Sequence, residues 1–202
     1  MRKDPYAHAP RLPDGDALDP NTLVSADTGP LELEIGPGRG WYMVERLEAA
    51  PDVRMVGLEI KRKWATIVDE RLRRRGLNDR GRVFAEDARL ALPRLVSASF
   101  DVVHLNFPDP WWKKRHQKRL LVTSEWAVQV GRLLRPGGEL FIQTDVEERA
   151  DAYERVVQAS CLFSPCEVDA RVTSHPYLAL SPRERRSIED GVPIFRLRFR
   201  KG

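Results

Sequence analysis

Leu31-Glu32-Leu33-Glu34-Ile35-Gly36-Pro37-Gly38-Arg39-Gly40-Trp41 is the stretch whose reading decides the fold. Its first five residues alternate apolar and acidic, the period of a strand. The next five bring three glycines, which let a backbone come close to a ligand. A helix is expected over residues 41–50. Outward from there the pattern repeats. Residues 53–60 read as a second strand ending on Glu59. Residues 61–75 read as a helix with Trp64, Ile67, Val68 and Leu72 on one face, stopped by Gly76. A short strand over 82–85 precedes Asp87, which opens another helix, and residues 100–106 form a fourth strand. Val122, Trp126, Val130, Leu133 and Leu134 make a helical stripe before a fifth strand over 139–143. A helix over 146–161 follows, with Asp145 and Glu148 spaced as a capping box.

Five alternations of strand and helix predict an open, mostly parallel sheet with helices on both faces. Two last strand candidates, 167–173 and 193–200, have no helix between them and suggest an antiparallel edge. Ligands of such sheets bind beyond the carboxyl ends of the strands. Gly36 to Gly40, Glu59, Asp87, Asn106 to Trp111 and Asp145 fall at those ends one after another. Residues 1–30, rich in Pro, Asp and Gly, read as a flexible arm ahead of one domain over 31–202.

The chain has 202 residues and a formal net charge of +4, so the placement of charge matters more than its sum. Arg71, Arg73, Arg74 and Arg75 form one basic cluster; Lys113 to Arg119 holds five Lys or Arg in seven residues. Both suggest a polyanionic partner. Cys161 and Cys166 have no metal spacing and the four histidines are scattered, so no metal is expected. No apolar run reaches the ~20 residues of a membrane span. Nor does an apolar signal region stand at the N-terminus, and a cytoplasmic protein is expected. The sequence leaves monomer and homodimer open.

Glu59 sits where a carboxylate can accept both ribose hydroxyls, a feature that serves NAD and S-adenosylmethionine alike. Glu34 favours the second. Beside the glycine turn it would repel a pyrophosphate but could hold an ammonium or sulfonium. Asp87 could bond an adenine edge or cap its helix. Pro108 and Pro110 clamp Asp109 by fixing their own φ angles and restricting the residues before them. A rigid carboxylate there could stabilise a cationic centre, and the indoles of Trp111 and Trp112 could stack a base.

Glu34-Ile35-Gly36-x-Gly38-x-Gly40, Gly57-x-Glu59, Asp87-Ala88, Asn106-Phe107-Pro108-Asp109-Pro110-Trp111-x-Lys113-Lys114-Arg115-His116 and Gln143-Thr144-Asp145 occur in this order. Together they closely resemble the bacterial tRNA (guanine-N7-)-methyltransferase family, from about Leu31 to the C-terminus. The resemblance implies a Rossmann-like class I methyltransferase fold with a seven-stranded sheet. It implies methyl transfer from S-adenosylmethionine to N7 of the variable-loop guanine of tRNA, position 46 in standard tRNA numbering. Glu34, Glu59, Asp87 and Asp109 would contact the cofactor, with Gly36, Gly38, Gly40 and Asn106 on the same edge. Lys113 and Asp145 would contact substrate. The family's Thr-x-x-Glu substrate element falls on Ser181-Pro182-Arg183-Glu184, with Ser181 in place of Thr. Trp112 stands where a smaller residue or proline is frequent, and Leu120 where an arginine is. Asp109 is the expected catalytic group. Other readings are a methyltransferase of the same fold acting on another base, a protein or a small molecule, and an RNA-binding relative without catalysis.

Overall fold

A computed structural model describes residues 5–108 and 120–202. Among the described residues eight strands form one sheet: β1 (Leu31–Ile35), β2 (Arg54–Leu58), β3 (Gly81–Phe84), β4 (Phe100–Asn106), β5 (Leu134–Thr144), β6 (Phe163–Pro165), β7 (Arg171–Val172) and β8 (Phe195–Lys201). Their order is β3-β2-β1-β4-β5-β8-β6, with β7 also paired to β8. The first five strands pair in parallel, and β8 runs antiparallel to β5. The order of strands reverses between β1 and β4, so the switch point lies beside the glycine turn.

The resemblance implies seven strands, and the sheet has eight. β6 pairs with β8 at residues 199–201 and β7 at residues 196–197, both antiparallel. They are two pieces of one interrupted edge, so seven positions hold eight strands. The 163–165 piece has too few residues to show a period of two.

Helices α1 (Trp41–Ala49) and α2 (Arg62–Arg74) cover one face, contributing Met43, Leu47, Val68 and Leu72 to a core with Met55 and Val83. Helices α3 (Ala88–Ala91), α4 (Ser124–Leu133) and α5 (Glu147–Ala159) cover the other, where Leu92, Trp126, Val130 and Val157 pack on Leu31, Leu33 and Val103. Strand side chains alternate between faces. Leu31, Leu33 and Ile35 therefore enter the second core, while Glu32 and Glu34 turn under α1. That second side is not the solvated face that alternation suggests. Every residue of β1 is buried. Glu32 survives there because Arg46 holds it with a fork of 2.6 and 3.1 Å, and His104 Nε2 lies 2.8 Å away. Burial pushes the Glu32 carboxyl up, but the bonds from His104 and Arg46 outweigh it and keep it below its ordinary range.

The segment expected to be a flexible arm differs over residues 5–30. Leu12, Leu23 and Val24 are buried in the core, Ala85 N–H donates to the Pro10 carbonyl, and Arg11 grips Glu86 at 2.7 Å. Three spaced apolar anchors in a Pro- and Asp-rich stretch carry no period, yet they bury enough surface to dock it.

Candidate active site

The carboxyl ends of β1, β2, β3, β4 and β5 meet along one edge, tied by backbone bonds. Gly36 N–H donates to the Leu58 carbonyl, Glu59 N–H to Phe84 and Phe107 N–H to Gln143. Gly36, Gly38 and Gly40 all take positive φ, +72°, +55° and +69°. At Gly40 the requirement is doubled, because a Cβ would stand 2.3 Å from the Val68 side chain. The turn therefore brings bare backbone to the mouth of the sheet before α1 starts.

Glu34, at the end of β1, is buried to 1% exposure. Asn106 Nδ2 donates to its Oε1 at 3.1 Å, while its buried Oε2 accepts no bond among the described residues. Burial, reinforced by the charges of Glu59 and Glu32 and only partly offset by Asn106, pushes this carboxyl up to about 8. Glu59, at the next strand end, accepts from Gly38 N–H at 2.9 Å and from Lys61 N–H at 2.8 Å. It thus straps the glycine turn to the start of α2. Asp87 fulfils its capping reading. It accepts from Arg89 N–H at 3.0 Å and pairs with the Arg89 guanidinium, whose bond to it is the main reason its carboxyl lies below the usual range.

Asn106 ends β4 and faces both neighbours: its Oδ1 accepts from Gln143 Nε2 at 2.9 Å. Phe107, next in line, has φ +48°. A left-handed conformation in a bulky residue costs about 1–2 kcal/mol and marks a segment held in place by its surroundings. Asp109 and Lys113 lie outside the described residues, as do the two indoles and the rest of the basic run.

Asp145 does not cap α5. Val146 holds the N-cap position without a side-chain bond, and the Asp145 carboxylate is engaged by Arg183 through Nε and Nη2 at 2.8 to 3.0 Å. Arg183 belongs to helix α6 (Pro182–Glu189) and lies 5.1 Å over the Phe107 ring. Ser181 caps α6 by accepting from Glu184 N–H at 3.1 Å. The Glu184 side chain is wholly buried, forked by Arg196 at 2.7 and 3.1 Å and reached by Gln143 Nε2 at 3.2 Å. The unpatterned stretch between the last two strand candidates thus contains a capped helix that docks on the site edge. Gln143 and Arg196 are participants that sequence reasoning missed as site residues. The signal for Gln143 is a polar side chain closing the apolar run Leu140-Phe141-Ile142; Arg196 is one of three alternating arginines of β8 and carries no such signal.

Chemically, the edge offers buried acceptors beside a glycine backbone that no side chain covers, a set suited to a ligand with a cationic end and a sugar. A family model described as a putative methyltransferase matches residues 28–197. A Myxococcus xanthus protein is 35% identical over 175 residues, covering 86% of this chain and 84% of the relative. An Anaeromyxobacter dehalogenans protein is 40% identical over 176 residues, covering 86% of each. Both are named tRNA (guanine-N(7)-)-methyltransferase. The chain belongs to this family.

The fold agrees with that of solved methyltransferases. The 16S rRNA methyltransferase KamB superposes with a TM-score of 0.66 at 12% identity, covering 96% of this chain and 97% of that one. The antibiotic-resistance methyltransferase Kmr gives 0.57 at 18%, covering 88% and 90%. This tRNA (guanine-N7-)-methyltransferase family member takes S-adenosylmethionine as methyl donor. The residues present fit that molecule, since the orphaned Glu34 Oε2 is a buried acceptor lacking a donor. No described helix is long and apolar enough to cross a membrane. Among the described residues no group of three His, Cys, Asp or Glu side chains could hold a metal ion.

Proposed function

We propose that this chain methylates N7 of a guanine in tRNA, the variable-loop guanine at position 46, and that the strand-end residues divide the work. Glu34, with the turn of Gly36, Gly38 and Gly40, receives the amino-acid end of S-adenosylmethionine. Glu59 receives the ribose, and Asp87 and Asn106 border the same ligand. Asp145, Lys113 and the Ser181, Arg183 and Glu184 segment serve the tRNA side. The observation that carries this reading is the half-satisfied, buried Glu34 beside the glycine turn. An acid in that place opposes a pyrophosphate and favours a cation.

When bound, S-adenosylmethionine supplies an electrophilic methyl group on a positively charged sulfur. N7 of guanine has an in-plane lone pair and no proton, so the chain needs no general base. Its residues have two tasks: to hold the base in line with the methyl carbon, and to offset the positive charge that appears on the base. Asp109, clamped between Pro108 and Pro110, is assigned the second task. Asp145, fixed by Arg183, is assigned the first.

The test is mass mapping of methylated nucleosides in bulk tRNA treated with the purified protein and S-adenosylmethionine. The expected product is 7-methylguanosine confined to position 46. Methylation of another base, or untouched tRNA, would refute the assignment.

A further inference from the structure

The acids on the two sides of the site are joined by a continuous row of hydrogen bonds, part-buried at Asn106 and fully buried at Glu184. Asn106 Nδ2 donates to Glu34, and Gln143 Nε2 donates to Asn106 Oδ1 at 2.9 Å and to Glu184 Oε2 at 3.2 Å. Arg196 closes the row on Glu184 Oε1. Gln143 is the member of this row on β5 and is 0% exposed. Both of its amide hydrogens meet acceptors, so the amide cannot be reversed without opposing oxygen to oxygen on two sides. Its own Oε1 is buried without a partner among the described residues, as is Glu34 Oε2. Each such orphan costs about 1–3 kcal/mol. Two of them in a row that an apolar side chain would otherwise fill is an expensive way to build a core, and it marks the row as serving the site and not the packing.

We propose that Gln143 is a positioning residue that couples the Glu34 cofactor site to helix α6, whose Arg183 holds Asp145 on the tRNA side. This rests on the reading that Glu34 holds the methyl donor. A cationic ligand end that ionises Glu34 changes the acceptor on Asn106 Nδ2 from a neutral acid to a carboxylate. Bonds to a charged acceptor are roughly twice as strong as neutral ones and shorter. Asn106 then draws toward Glu34, and Gln143, bound to its other end, transmits the pull to Glu184. α6 responds as a unit because Ser181 caps it, Glu184 anchors it and Arg185 is tied to Glu45 of α1. By reciprocity, fixing α6 on tRNA strengthens cofactor binding by the same factor.

The experiment follows backbone hydrogen exchange in α6 while the full-length protein is titrated with S-adenosylhomocysteine. In the wild type the probe is expected to slow exchange over residues 183–189. Gln143→Leu, close in volume but without the amide, is expected to lose that protection, while its dissociation constant for the probe moves less than about threefold. Gln143→Asn, one methylene shorter and unable to span both acceptors, carries the same expectation should the leucine variant fold poorly. The second readout is the ratio of tRNA dissociation constants without and with the probe. About fivefold or more is expected in the wild type, the lower end of ordinary coupling, and it falls toward one in the variants. Equal protection in wild type and variants, or none in a wild type that binds the probe, would overturn the coupling and leave the function untouched. Failure of the wild type to bind the probe at all would overturn the function reading itself.

Discussion

At the scale of single residues, Glu34 makes the sharpest prediction. Burial pushes its carboxyl up from 4.5 to about 8. A raised acid stabilises the fold fully below 4.5 and loses that contribution as pH rises through about 8. Binding a cationic ligand end demands the ionised form. Affinity for S-adenosylhomocysteine should therefore improve from pH 6 to 8, by at most about tenfold per unit for one proton. Titration calorimetry in two buffers should show a proton released near pH 7. Glu34→Gln should flatten the profile, and a wild-type affinity constant across that range would sink the assignment. Asp109→Asn tests the other acid. Loss of one preorganised group of this kind costs about 10²–10³ in turnover. Single-turnover rates should fall by that order while binding of the methyl donor weakens far less; a rate equal to the wild type's would remove Asp109 from the mechanism.

At the scale of elements, two starts matter. Gly40 takes φ +69° at the N-cap of α1, packed on Val68. An L residue in that region costs about 1–2 kcal/mol before any clash. Gly40→Ala is expected to lower the melting temperature by about 2–8 °C, using about 2–4 °C per kcal/mol for a chain of this size, with loss of cofactor affinity. A melting temperature within a degree of the wild type would contradict the packing at α1. Ser181 caps α6, and Ser181→Ala should cost about 1 kcal/mol, read as faster exchange in α6. Threonine keeps the hydroxyl, so Ser181→Thr should restore protection. The two starts differ in legibility. The glycine turn is written as glycines because all three positions take positive φ, which disfavours other residues, and Gly40 also has no room for a Cβ. α6 hid inside twenty residues without clear periodicity because it is short and anchored by a buried Glu–Arg pair, which apolar patterning cannot register.

At the scale of the whole molecule, the partner is a polyanion and the net excess of positive charge is only +4. Binding should thus depend on where cations gather. Neutralising Lys113, Lys114, Arg115, Lys118 and Arg119 one at a time should flatten the slope of log K against log salt by about 0.7–0.9 for each phosphate no longer paired with a cation. Filter-binding titrations across a salt series measure it; an unchanged slope would make the run a solvated face. Gln143→Leu adds a contrasting expectation. It should change how cofactor and tRNA affect each other and leave the salt slope alone.

Local chemistry in the chain determined the parallel order of strands and helices, the glycine turn and the row of acids at the strand ends. Each depends on neighbours in sequence: alternation, helical spacing, and residues that only one backbone shape admits. Tertiary structure alone decided that the acid side of β1 is buried under α1, that residues 5–30 dock, and that Asp145 serves Arg183 instead of capping α5. It alone also joined Glu34 to Glu184 through Asn106 and Gln143. The bonds of Asp145 and of that row join residues 37 to 72 positions apart. Which acceptor a buried amide meets is settled only when distant strand ends are brought side by side.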